Sequence, residues 1–119
     1  MSGFWIFMFV MVLLMPLAMV VFGALLLKKP PRLNGFFGYR TQKSMKNTDT
    51  WLFAQRFFGK IWLKLGAVIL PISMIIMVIV LNEEVFTIAM TGLVVTLGQL
   101  VFLLAPIYPT EKALKEKFE

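Results

Sequence analysis

Hydrophobic and polar positions along this chain are sorted into long blocks rather than interleaved. From Phe4 to Leu27 no charged residue occurs. At roughly 1.5 Å per residue such a run makes a helix of about 36 Å, enough to cross the ~30 Å hydrocarbon layer of a bilayer with some tilt. A second uncharged run extends from Leu65 to Leu81 and a third from Val85 to Pro106, parted only by Asn82, Glu83 and Glu84. So short a polar break makes the second and third helices antiparallel neighbours, a membrane hairpin. The pattern predicts an all-α integral membrane protein, a single membrane domain over residues 1–119 with three transmembrane helices at about 4–27, 65–81 and 85–106. Pro16, midway along the first span, removes one helix hydrogen bond and predicts a kink there.

The block between the first two spans, residues 28–64, has two textures. Its second half is periodic: Asn47 or Thr48 is placed to cap a helix with Asp49 in its first turn, and Arg56, Lys60 and Lys64 recur four apart along one face. Opposite them fall Leu52, Phe53, Phe57, Ile61 and Leu65, with Trp51 and Trp62 as rings that favour a membrane interface. This predicts an interfacial amphipathic helix in the headgroup layer, or a tilted extension of the second span bending near Gly59 or Gly66. The first half loses helical periodicity. From Arg32 it reads Leu33, Asn34, Gly35, Phe36, Phe37, Gly38, Tyr39, Arg40 and Thr41, where both glycines predict tight turns with positive φ and the aromatics predict an ordered loop rather than a solvated linker. Arg40 offers a planar, forked cation for a phosphate or carboxylate, with the Thr41 hydroxyl beside it; the plainer reading is an ordinary topology charge among interface aromatics.

Charge fixes the expected orientation. Of the twelve Lys and Arg, nine lie between Lys28 and Lys64 and three, Lys112, Lys115 and Lys117, in the tail 107–119. Three spans put both segments on one side, and the positive-inside rule makes that side the cytoplasm, with the N-terminus and the Glu83–Glu84 loop outside. The N-terminus reads as an uncleaved anchor, because Met1, Ser2 and Gly3 supply no basic stretch ahead of the apolar run. A net charge of +6 would suggest nucleic acid in a soluble protein. With 60% hydrophobic residues and the cations flanking apolar runs, anionic lipid headgroups are the expected partner instead, and nucleic acid is not.

The chain has no Cys and no His, which excludes disulfides, thiol nucleophiles, Cys/His metal sites and the usual neutral-pH general base. No cofactor is expected. The spans hold no acid or base of the kind a proton or ion path needs; Ser73, Thr91, Thr96 and Gln99 are their most polar groups and predict helix packing, with Thr87, Thr91 and Gly98 on one stripe of the third span and Gly92, Thr96 and Gln99 on another, suited to two neighbouring helices. The methionines, mostly within the spans, read as membrane-core filler. An enzyme acting on lipid headgroups would have to use Asn34, Arg40, Thr41 and Asp49, a set without an evident nucleophile and base.

The spacing Asn34-x-x-x-Gly38-x-Arg40-Thr41, then Asn47 to Trp51, then Phe57-x-Gly59-Lys60 entering an apolar helix, resembles the membrane domain of the SdpI family, the immunity proteins for a sporulation-delaying peptide toxin. Tyr108 to Leu114 resembles the tail of its short, single-domain members. The resemblance implies a non-enzymatic immunity or resistance protein of the bacterial cytoplasmic membrane, protecting against a membrane-active peptide by binding that peptide or a cytoplasmic regulator. The expected partner- or headgroup-binding residues are Asn34, Gly38, Arg40, Thr41, Trp51, Arg56 and Lys60. The alternatives are a small transport or channel component, which would have to form a homo-oligomer to enclose a path, and a lipid-interacting accessory membrane protein.

Overall fold

The computed structural model describes residues 2–119 and is all-helical, in the order α1 (Gly3–Lys28), α2 (Thr48–Ile79), α3 (Val85–Leu104) and α4 (Ile107–Phe118). Three helical runs are long and apolar enough to cross a membrane: α1, α2 and the run beginning at Val85. They lie side by side in a rod of 53 × 22 × 21 Å. Large apolar side chains such as Phe7, Leu14, Val68, Ile75, Val94 and Val101 point outward. In water that surface would be untenable; in hydrocarbon it is the favoured exterior, because only the backbone needs internal partners.

Each helix end has a local cause. The Ser2 hydroxyl accepts from the Trp5 N–H at 3.1 Å to start α1, and Pro30 and Pro31 follow its end. At the start of α2, Asn47 Oδ1 accepts from the Thr50 N–H at 2.9 Å while Thr50 Oγ1 accepts from the Asn47 N–H at 3.0 Å, a reciprocal capping box. From this box α2 runs unbroken for 32 residues, about 48 Å at ~1.5 Å per residue and some 18 Å longer than the hydrocarbon. Residues 48–64 do not form a helix of their own: they are the first half of α2. Gly59 and Gly66, the expected bend points, lie within the continuous helix. Glycine in a helix interior costs only about 1 kcal/mol, and both positions are used for close packing.

That packing is backbone against backbone. A Cβ at Gly59 would stand 2.7 Å from the Gly23 carbonyl oxygen, one at Gly23 2.6 Å from the Leu63 nitrogen, and one at Gly66 2.9 Å from the Pro16 carbonyl oxygen. Small residues at a helix crossing are how membrane helices gain contact where lipid is as apolar as leucine. The face of upper α2 (residues 48–64) buried in the protein is therefore Trp51, Ala54, Gln55, Phe58 and Gly59; Leu52, Phe53 and Phe57, expected opposite the cations, instead line one groove with Arg56 and Lys60, since Leu52 is one turn from Arg56 on the same face. Arg56, Lys60 and Lys64 are exposed, as their spacing predicts.

α3 packs on α1 through Ile88, Gly92 and Gln99, the only fully buried residues of that helix among those described. Pro16 cannot bond to the Val12 carbonyl one turn earlier. Gln99 Nε2 supplies the missing donor at 2.9 Å from Val12 O and bonds to Ser73 Oγ at 2.8 Å, so one amide joins all three membrane helices. The third span ends at Leu104 rather than Pro106, and after a turn at Ala105 and Pro106 the tail forms α4. Thr110, Leu114 and Phe118, each four apart, share one face of α4; Leu114 is buried among Leu26, Tyr39, Ala54 and Phe58, and the Phe118 ring lies 5.6 Å from that of Phe53 on α2.

Candidate functional site

Upper α2, α4 and the loop 29–47 form a polar end to the rod, and the expected site residues all lie there. Asn34 organises the loop tip: its Oδ1 accepts from the N–H groups of Phe36 and Phe37, both at 2.7 Å, and its Nδ2 donates to Arg32 O at 2.6 Å. This Asx turn needs no positive φ, so Gly35, contrary to expectation, does not have one. Phe36 at the tip is 95% exposed, while Phe37 folds back to Phe22 of α1, with ring centroids 5.7 Å apart. The loop thus returns beside α1 to a ring exposed on that helix's outer surface.

Gly38 is the one residue with positive φ among those described, at 110°. A Cβ there would stand 2.7 Å from Gln55 Oε1 and 3.2 Å from Trp51 Cζ2, so both conformation and space require glycine. The turn delivers Tyr39 to Gln55, whose Oε1 accepts from the Tyr39 N–H at 2.7 Å and whose Nε2 donates to the Tyr39 carbonyl at 2.6 Å. One side-chain amide thereby replaces a neighbouring strand for one residue. Trp51 is fully buried and donates its Nε1–H to Pro31 O at 2.7 Å. It is a core pillar under the loop, not the interface ring expected. Trp62 is half-buried and donates its Nε1–H to Leu103 O at 3.0 Å, near the end of α3.

Arg40 and Thr41 part company. The Thr41 hydroxyl donates to Glu111 Oε2 at 2.9 Å, and the Tyr39 hydroxyl donates to the same oxygen at 2.6 Å. The Thr41 N–H donates to Ser44 Oγ at 2.8 Å, and the Ser44 hydroxyl reaches Thr41 O at 2.9 Å. Thr41 is thus spent on the fold, whereas Arg40 between them is exposed and has no ion pair or hydrogen bond among the described residues. Burial first, then the hydrogen bond to and charge of Glu111, hold the Tyr39 phenol well above its ordinary pKa, so it stays a donor. Gln55, Ser44 and Glu111 escape a reading of the sequence. Gln55 adjoins Arg56 and looks solvated, although its spacing from Trp51 and Phe58 puts it on the buried face; Glu111 has no local mark at all.

Arg56 and Lys60 do come together, on one wall of an open groove of about 490 Å³ that Lys117 of α4 completes. Among the described residues no cluster of His, Cys, Asp and Glu is placed to hold a metal ion. The polar end thus carries one exposed guanidinium, on a loop whose backbone is hydrogen-bonded on either side of it, and a groove lined by three cations beside α2.

No curated protein and no solved structure matches the chain. A family model described as the SdpI/YfhL protein family matches residues 31–108 of the 119. That stretch holds residues 31–47 of the loop, the whole of α2 with Trp51 and Gln55, and α3, and stops short of Glu111. The chain, a multi-pass membrane protein with three helices able to span a bilayer, belongs to the SdpI/YfhL family.

Proposed function

We propose that this protein is a non-enzymatic immunity or resistance protein of the bacterial cytoplasmic membrane, protecting against a membrane-active peptide. Its N-terminus lies outside and its polar end in the cytoplasm, as the confinement of Lys and Arg to that end favours. The observation that carries the reading is the mounting of Arg40. Gln55 holds the backbone before it through both polar groups of Tyr39, Ser44 holds the residue after it, and the guanidinium is left exposed with no partner among the described residues. A side chain carried on so constrained a backbone is suited to bidentate recognition of a carboxylate or phosphate on a partner. On this topology Arg40 meets a cytoplasmic regulator, or the part of a peptide that has crossed the bilayer.

The test is survival of a sensitive bacterium under challenge with membrane-active peptides, at matched membrane levels of wild type, Arg40→Lys, Arg40→Ala and Lys43→Ala. Lysine keeps the charge and loses the fork, so Arg40→Lys is expected to impair protection and Arg40→Ala to abolish it. Lys43 makes an exposed ion pair with Glu119 at 3.0 Å, worth little to the fold, and its replacement should leave protection intact. Full protection by both Arg40 variants would remove Arg40 from the mechanism.

A further inference from the structure

We propose that the groove between upper α2 and the end of α4 binds one anionic glycerophospholipid, its phosphodiester held by Arg56, Lys60 and Lys117. Three observations lead there. The cations are brought to one place by two elements far apart in sequence: Arg56 and Lys60 one turn apart on α2, Lys117 from the last turn of α4. Lys117 is steered there by aromatic rings, its Nζ lying 4.5 Å from the Phe53 centroid and 5.7 Å from that of Phe118. None of the three makes an ion pair among the described residues.

The depth of the groove identifies the occupant. Its lining includes Leu27, the last apolar residue of α1 before Lys28, and Lys60 lies half a turn from Trp62, which bonds to the end of α3. The cations therefore stand where hydrocarbon gives way to headgroups. Leu52 and Phe57, half-buried in the same lining, offer the apolar footing that a lipid has and a soluble anion lacks. Asp49 also lines the groove, about two turns from Arg56 and further from the membrane. Its carboxylate opposes a second acidic group at that height and can accept from a headgroup hydroxyl. A singly anionic, hydroxyl-bearing headgroup such as phosphoglycerol meets all of these conditions.

The full-length protein would be placed in phosphatidylcholine nanodiscs doped with phosphatidylglycerol, released into detergent, and its retained lipids counted by native mass spectrometry. Wild type is expected to retain one phosphatidylglycerol in preference to phosphatidylcholine. Retention should weaken about fivefold for each groove charge removed, which is about 1 kcal/mol, in Lys117→Gln alone and more so in the Arg56→Gln/Lys60→Gln/Lys117→Gln variant. Lys117→Gln leaves α2 untouched and keeps the test valid if the triple variant folds poorly. Lys28→Gln/Lys29→Gln/Arg32→Gln removes equal charge from the same end outside the groove and should retain the lipid. Equal loss in this control would reduce the effect to general surface attraction and overturn the site, as would wild-type retention by both groove variants. Excess inorganic phosphate should not displace the lipid; displacement would make this a site for soluble phosphate. The readout is lipid retention, so the result stands apart from whether Arg40 is needed for protection.

Discussion

Tyr39 is tied down at both ends, its backbone to Gln55 and its phenol to Glu111. Because its pKa in the folded protein is raised by burial and by Glu111, the folded state keeps a proton that the unfolded state loses near the ordinary tyrosine value of about 10. The stability that this clasp contributes is complete below about pH 10 and is lost as pH rises toward the folded value. Thermal unfolding in detergent, followed from neutral pH to above pH 10, should show the decline in wild type and a smaller one in Tyr39→Phe. Below pH 10 that variant should be less stable by about 2 kcal/mol, the scale of a hydrogen bond to a charged acceptor. A wild type that loses no more than the variant would mean that the phenol contributes no pH-dependent stability. At this scale the sequence was partly legible. Gly38 announced its turn, since few residues other than glycine take positive φ. Trp51 misled, since an indole beside cations reads as an interface ring unless one knows that Pro31 O waits for its N–H.

Among the elements, the joint between α1 and α2 decides how the rod holds together. Gly23, Gly59 and Gly66 each leave room only for hydrogen at their crossing points, whereas a Cβ at Gly98 on α3 meets nothing within 4 Å. Gly59→Ile should therefore wedge the two helices apart and lower stability by about 3 kcal/mol or more, while Gly98→Ile should change it by less than about 1 kcal/mol. Melting temperatures in one detergent compare the pair directly, and equal behaviour would show that the seam is not what holds α1 to α2. The spans themselves could be read from the sequence, because a charge-free run of that length has few other uses. Their register could not, since an apolar helix offers lipid and protein the same surface and only glycine or a polar group marks which side is which. Gln99 was such a mark; its specific task, replacing the donor that Pro16 withholds from Val12, needs both helices in view. α4 stayed hidden because twelve residues carry too few turns for its Thr110, Leu114 and Phe118 face to stand out.

For the whole molecule, charge is the organising asymmetry. All twelve Lys and Arg belong to the loop, upper α2 and α4 or the adjoining end of α1, and Glu83 and Glu84 stand in the connection between α2 and α3 at the other end. The orientation proposed from this predicts that single cysteines at Ser2 and Glu84 react with an impermeant thiol reagent on intact cells, and those at Lys46 and Lys115 only after lysis. The absence of natural cysteine makes the assay direct. Labelling of the Lys46→Cys protein from outside would invert the topology and place Arg40 on the outer face. The clasp that joins Tyr39 and Thr41 to Glu111 spans 72 and 70 positions of sequence, and this has a consequence in time. Proteins are made in one direction, and Glu111 comes after all three spans whereas its two donors come before the second. The loop must therefore wait, without the carboxylate that fastens it, while the helical hairpin is synthesised and inserted. A chain cut short after Leu104 would keep every membrane crossing and still leave both hydroxyls without their acceptor, so an injury to the final residues would be felt at Arg40.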